Sequence, residues 1–412
     1  MNRKNSSASD IPTDDPDNTE VLEEGSKSIL MGIIKQLSKD MDLSRVTLPT
    51  FVLEPRSMLE KITDFMAHPE LAEQAAGLSD PTERFVGVVK YFLSGWHIKP
   101  KGVKKPYNPV LGEFFRCRYE FQDGSEAAYI AEQVSHHPPI SAYHYANPRH
   151  GILIDGEARP KARFLGNSAG TIMCGYSRLT FTKHHNETYE ISNPNVYARG
   201  VLFGKMFMEL GDQCTVKCVT SDLIAELDFK TKGFFSGQYH AVVGKIKKGS
   251  TGEVLYDISG TWTNELFIKS VKNKVKEPLF TVKGAVIHPK IVEPESAQED
   301  TESRRLWTKV TKGLTTGDLD GATEAKTIIE NRQRQERQER EKTRKEWAPR
   351  FFRLLDNGDY QFTHRSTINY AGSPDKATHD LKQAIFLTTS SSSSTLEKPN
   401  PTPSSVKHPV LV

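Results

Sequence analysis

Three short stretches carry side chains that could do chemistry. The first is Glu132-Gln133-Val134-Ser135-His136-His137-Pro138-Pro139, two adjacent imidazoles pinned by two prolines. The prolines remove two backbone donors and fix φ, so neither a helix nor a central strand continues through them. The residue before a proline is pushed to extended geometry, which holds His137 β-like. Neighbouring strand side chains diverge, so both rings serve one ligand only if the strand bends at an end or a bulge on a sheet rim. The residue types alone fit two satisfied histidines as well as a ligand site. A metal is not favoured, since no third His or Cys stands at ligand spacing and HExxH is absent.

The second stretch is Lys104-Lys105-Pro106-Tyr107-Asn108-Pro109-Val110-Leu111-Gly112-Glu113, whose prolines and glycine make an ordered loop entering a strand. Taken alone, Lys105 reads as a solvated surface lysine. The third is Lys326, Glu330 and Arg334, spaced i, i+4, i+8 and therefore on one helical face. A ladder on a solvated helix is the commoner account of that spacing. Covalent catalysis has no support. No cysteine is followed by an arginine six residues on, GxSxG is absent, and Ser135 beside His136 is not a dyad.

The elements that must hold these stretches read as follows. Residues 1 to about 25 hold Asp10, Asp14, Asp15, Asp17, Glu20, Glu23 and Glu24, and form a disordered acidic tail that would repel anionic membranes. Leu30, Ile33, Ile34, Leu37 and Met41 follow an amphipathic helical period. Residues 43 to 54 are extended and broken by Pro49, and Arg56–Phe65 and Pro81–Trp96 are helical in pattern. From about 113 to 290 many short strands run in series, punctuated by turns such as Asp123-Gly124 and Gly249-Ser250-Thr251-Gly252. Strands in series without helices between them argue a large antiparallel sheet, and a wide closed barrel leaves a cavity. Helices return over about 300 to 350, and residues 357–412, with Ser390–Ser394 and Pro399, Pro401 and Pro403, read as a weakly ordered to disordered tail. The fold class is mainly β (α+β): a large near-closed antiparallel barrel with flanking N- and C-terminal helices, the first of which either packs on the core or lies over the mouth of a cavity as a lid, a choice that periodicity leaves open. A net charge of +3 gives no argument for nucleic acid. The cysteines Cys117, Cys174, Cys214 and Cys218 form no CxxC and read as reduced thiols. No apolar run reaches the ~20 residues of a membrane span. The expectation is a cytoplasmic monomer without a cofactor, touching membranes peripherally.

The block EQVSHHPP resembles the fingerprint of the oxysterol-binding protein family of lipid-transfer proteins, and the likeness extends over about Asp42 to Phe352. It implies one lipid-binding domain over residues 26–356: a lid over about 26–42 with Leu30, Ile33, Ile34 and Leu37, the barrel around a lipid tunnel, then the C-terminal helices. The family's second signature is matched by Lys105 to Glu113 with Tyr107 replacing the usual leucine, which implies phosphate contacts from Lys105 and Asn108. His136 and His137, with Lys326, Glu330 and Arg334 flanked by Glu324-Ala325 and Asn331-Arg332-Gln333, complete the implied phosphoinositide head-group set. The logic is electrostatic. A phosphomonoester carries about −1.5 to −2 charge at pH 7, and holding it takes donors converging from several parts of the chain. Lys105, His136, His137 and Arg334 would bring charge or N–H groups, and Glu330 would orient a cation or accept an inositol hydroxyl.

Residues 44–54, 95–98, 163–168 and 194–205 resemble the fungal phosphatidylserine-transporting subgroup, which implies a serine head-group set of Leu48, Thr50, Lys105, Asn108 and Lys161. Where that subgroup follows the lysine with serine, this chain has Ala162, removing one hydrogen bond. The resemblance implies exchange of phosphatidylserine for phosphatidylinositol 4-phosphate at contacts between endoplasmic reticulum and plasma membrane. No pleckstrin-homology domain, ankyrin repeat or acidic two-phenylalanine motif is recognisable. Sterol exchange and lipid sensing without transfer are the alternatives.

Overall fold

The structure is a computed structural model, and it describes residues 32–33, 41, 49–98, 104–166, 168–200, 207–232 and 237–387. A 3-10 turn at Thr50–Val52 leads into β1 (Leu53–Ser57), followed by helices Met58–Lys61, Pro69–Ala76 and Pro81–Ser94. β2 (Lys105–Tyr107) pairs with β1 in parallel. The strands β3 (Phe114–Glu120), β4 (Glu126–His136), β5 (Pro139–Asn147), β6 (Ile152–Phe164), β7 (Ser168–Cys174), β8 (Tyr176–Phe181), β9 (Glu187–Ser192) and β10 (Asn195–Arg199) come next. Then follow β11 (Phe207–Cys218), β12 (Leu223–Lys230), β13 (Ala241–Lys248), β14 (Val254–Thr261), β15 (Glu265–Ser270) and β16 (Lys276–Thr281). Among the described residues β3 to β16 make one fourteen-stranded sheet. Helices Ser303–Thr316 and Leu319–Thr343, the hairpin β17 (Phe352–Leu354) and β18 (Tyr360–Phe362), and the helix Pro374–Phe386 complete the order.

Local rules account for these elements. The Asp80 carboxylate accepts from the amides of Thr82 and Glu83, and Pro81 takes the first helical position. That helix buries Phe85, Val88, Val89 and Phe92, the face its spacing predicts. β12 buries Leu223, Ala225, Leu227 and Phe229 and turns the alternate residues outward.

The sheet forks between β6 and β11. Ile152–Gly156 of β6 pair with β8, and Arg159–Phe164 with β7. β11 likewise pairs through Phe207–Gly211 with β10 and through Val216 and Lys217 with β9. Gly175 joins the two arms at φ +101°, where an added Cβ would lie 2.4 Å from the Glu157 carbonyl oxygen, so only glycine fits. The sheet curls around the N-terminal helices, which touch β3 and β4 near one edge and β12 and β16 towards the other. Tyr129 donates to the Leu59 carbonyl, and Trp96 reaches Phe229 on β12.

The two halves of the wall differ. β3 to β6 are covered on both faces, by the N-terminal helices inside and by the C-terminal segment outside, where Ile130, Val134, Ala142 and Leu153 pack with Phe352, Phe362, Leu381 and Ile385. This explains why residues 127–131 read as an unbroken apolar run. In β10 every residue, on both faces, is half-buried, and Val196 packs against the inner cluster.

Three expectations are corrected. The strands are not all short: β4, β6 and β11 have 11, 13 and 12 residues, because a tunnel-forming wall must be tall. The folded domain does not stop at residue 356. β18 and the helix Pro374–Phe386 continue it, with Ala377, Leu381, Ala384 and Ile385 buried at helical spacing. Between Pro49 and Leu53 the chain makes a 3-10 turn rather than running extended. Of the lid residues, Leu30, Ile34 and Leu37 lie outside the described residues, as do the acidic segment 1–25 and residues 388–412, while Ile33 is helical and half-buried. The Met41 carbonyl accepts from Phe164 N, tying the end of that segment to β6. The four cysteines are free thiols. Among the described residues no helix is long and apolar enough to cross a membrane.

Candidate functional site

β4 ends at His136, and its register against β5 slips between Gln133 and Ser135. Gln133 donates to the Ser135 carbonyl and accepts from Ser141, which fixes the irregularity. The bend brings the two imidazoles together, centroids 4.7 Å apart and planes at 78°. His136 Nδ1 lies 3.1 Å from the Pro109 carbonyl. A carbonyl only accepts, so Nδ1 carries the hydrogen and the neutral ring presents a bare Nε2. Burial pushes the His136 imidazole down to about 4, His137 adds repulsion, and the Pro109 carbonyl and Glu330 oppose both. A donor from His136 was expected. In the free site at neutral pH the ring is uncharged with its one N–H taken, so it becomes a donor only by gaining a proton.

The second stretch is clamped from below. The Glu113 carboxylate, fully buried, accepts from Ser57 Oγ, Ser303 Oγ, Trp307 Nε1 and Val110 N. Tyr107 stacks on Trp307 with centroids 4.7 Å apart. This leaves Asn108 exposed and Lys105 open to water while walled by protein. Burial lowers the Lys105 pKa, Lys326 lowers it further by repulsion, and Glu330 opposes.

The third stretch stands on the helix Leu319–Thr343, capped by Asp318, which accepts from Gly321 N. The ladder is real: Lys326 Nζ is 2.8 Å and Arg334 Nη2 3.5 Å from the Glu330 carboxylate. It is not an isolated solvated face. Glu330 and Lys326 act on Lys105, and Glu330 and Arg337 act on His136, so the three stretches converge on one rim.

Not every expected residue joins it. Thr50 is buried and its hydroxyl is engaged by Thr323 Oγ1 at 2.9 Å and the Leu319 carbonyl. Lys161 is exposed on β6 opposite Ile172, and among the described residues no hydrogen bond or ion pair links it to the collar. Leu48 lies outside the described residues. Sequence reasoning missed Arg337, one helical turn beyond Arg334 and legible from that spacing. It also missed Glu132, whose carboxylate accepts from Arg350 N and Phe351 N and is pushed by burial up to about 7. Two recesses, of about 20 and 380 Å³, lie elsewhere. One is among Tyr91, Tyr143 and Leu179, the other among His68, Lys90 and Phe280. Among the described residues no cluster of His, Cys, Asp or Glu is set to hold a metal.

What the rim can do follows from its charge. Lys105, Lys326, Arg334 and Arg337 gather in one region, with Glu330 pairing Lys326 and Arg334 and Glu341 pairing Arg337; the Lys105 and His136 pKa values are lowered chiefly by burial, with repulsion from Lys326 and from His137 adding to it. An anion placed there relieves that repulsion.

The chain matches the profile of the family described as oxysterol-binding protein over residues 30–313 and 311–377. It is 47% identical to an oxysterol-binding protein homologue of Schizosaccharomyces pombe, over 84% of this chain and 74% of that one. Its fold is similar to that of the Osh1 ORD domain in complex with ergosterol, with a TM-score of 0.68 at 22% identity over 86% of this chain and 89% of that one. It is also similar to the Osh3 ORD from Saccharomyces cerevisiae in complex with PI(4)P, with a TM-score of 0.64 at 22% identity over 88% and 94%.

Proposed function

The chain belongs to the oxysterol-binding protein family, and from that premise we propose that it carries phosphatidylserine from one membrane and exchanges it for phosphatidylinositol 4-phosphate at another, without covalent chemistry. The observation that carries the phosphoinositide half is the convergence of Lys105, His136 and the Lys326–Glu330–Arg334 face on one cation-rich rim. Lys105, Asn108, His136 and His137 hold the phosphate, and Lys326 and Arg334 frame the inositol with Glu330 set between them. The phosphatidylserine half rests on the subgroup resemblance, with Leu48, Thr50 and Lys161 beside Lys105 and Asn108. The inward turn of Thr50 and the alanine at 162 weaken that set.

The barrel takes the acyl chains. Each buried CH₂ is worth ~0.8 kcal/mol, but a bilayer offers nearly the same. Head-group contacts therefore decide which lipid leaves the membrane. Because Lys105 and Asn108 serve both cargoes, one lipid displaces the other, and a phosphoinositide gradient maintained elsewhere sets the direction. The protein acts as a monomer, peripherally, between endoplasmic reticulum and plasma membrane.

Transfer between two liposome populations tests this, with labelled phosphatidylserine, sterol and phosphatidylinositol 4-phosphate in parallel. Phosphatidylserine transfer accelerated by the counter-lipid is expected. Sterol transfer in its place would assign the sterol reading, which the missing serine at 162 favours. Binding without transfer would make the protein a sensor.

A further inference from the structure

The buried residues of the helix Leu319–Thr343 are Ala322 and Ala325, both in its first two turns. Ile329 still packs against the Trp307 and Val310 cluster, but beyond it no described residue of the helix is buried, so Arg334 and Arg337 stand on a lever that its own packing does not hold. Its far end is hooked. At Arg344 the backbone turns left-handed, with φ 53°, and Lys345 N donates back to the Arg340 carbonyl. Three residues on, the indole of Trp347 rests against Gly112: a Cβ there would be 2.5 Å from the indole Cη2 and 2.9 Å from Cζ2. Gly112, at φ +79°, closes the loop that carries Lys105 and Asn108. Its amide donates to the Gln133 carbonyl, and Gln133 N donates to the Glu113 carbonyl. The hook ends at Arg350, whose amide binds the Glu132 carboxylate and whose guanidinium grips Glu299 through two hydrogen bonds of 2.7 and 3.0 Å. Trp347 is 40% exposed, so the contact does not fill a core.

We propose that Trp347 is a positioning residue: by resting on Gly112 it sets the gap between the loop bearing Lys105 and Asn108 and the helix bearing Glu330 and Arg334. It thereby sets affinity for the phosphorylated inositol head group without touching the lipid. This rests on the reading of the collar as the head-group site. Phosphatidylserine does not use the helix ladder and is spared.

The test uses the full chain with Trp347→Ala, Trp347→Phe, Gly112→Ala and the double variant Gly112→Ala/Trp347→Ala. Extraction from vesicles containing phosphatidylinositol 4-phosphate is compared with extraction from phosphatidylserine vesicles, and melting temperature is followed in each. Trp347→Ala should lower phosphoinositide extraction about tenfold, leave phosphatidylserine extraction and melting temperature within error, and be largely restored by Trp347→Phe. The double variant should be no worse than Gly112→Ala, because both changes break one contact. An equal loss for both lipids with a lowered melting temperature would make Trp347 merely structural. Unchanged extraction, or additive losses in the double variant, would also overturn the proposal. A wild-type protein that extracts phosphatidylserine but no phosphoinositide would instead refute the head-group reading on which the proposal rests.

Discussion

Binding of phosphatidylinositol 4-phosphate should draw a proton onto His136. In the empty site that ring sits at about 4, and its single hydrogen is committed to the Pro109 carbonyl. A phosphate near Nε2 attracts a second hydrogen and lifts the pKa. Between 4 and the lifted value the complex holds one more proton than its parts, so affinity rises up to tenfold for each pH unit lost. The gain has a floor, because the phosphate's own second pKa is about 6 and the ligand loses charge below it. The window is therefore about pH 6 to 8, and the expected gain is about five- to tenfold across it. Glu132 also titrates near 7, so His136→Asn, which keeps a neutral amide, isolates the imidazole. Calorimetry with a short-chain phosphatidylinositol 4-phosphate, repeated in buffers of different ionisation enthalpy, reads proton uptake directly. The wild type should take up a fraction of a proton more near pH 7 than His136→Asn does, the difference being the imidazole's share. A flat profile from pH 6 to 8.5 with zero uptake would show that His136 binds as a neutral acceptor and would remove the charge argument.

Other outcomes follow from the same contacts. Glu113→Ala strips three buried donors and the half-buried Val110 amide of their acceptor and should cost about 3 kcal/mol or more, read as a lowered urea midpoint with loss of both cargoes. Ending the chain at Asp356 uncovers Ile130, Ala142 and Leu153, so that protein should aggregate on expression; a soluble, fully active product would contradict the extended domain. Ala162→Ser adds a hydroxyl beside Lys161 and should raise phosphatidylserine transfer a few-fold, the worth of about 0.5–1.5 kcal/mol for one hydrogen bond. An unchanged rate would remove Lys161 from the serine site.

The sheet was legible in the sequence wherever one face meets water. β12 alternates cleanly, and the helix Pro81–Ser94 announces its cap and its buried face. The fork was not legible, because residues 168–199 form short strands whose partners lie on two long strands, and strand period carries no partner information. The C-terminal cover was hidden beside a serine- and proline-rich segment, although Ala377, Leu381, Ala384 and Ile385 already carried a helical period. At the collar, residue identities were readable from the motif blocks, but their electrostatic state was not. No spacing rule says that the Pro109 carbonyl will take the His136 hydrogen, or that Thr50 will turn to the helix.

The unequal wall has a mechanical consequence. The His136–His137 turn is mounted on strands sandwiched on both faces, while every residue of β10 keeps partial exposure and, among the described residues, none belongs to the outer cluster. Such a body works like a caliper with one fixed jaw. When a bulky lipid slides in or out, the thin side gives way and the thick side keeps the recognition groups in register, so breathing and selectivity are assigned to different strands. Backbone amides of β4 and β5 should then be the slowest to exchange with heavy water, and those of β10 among the fastest, whether or not a lipid is aboard.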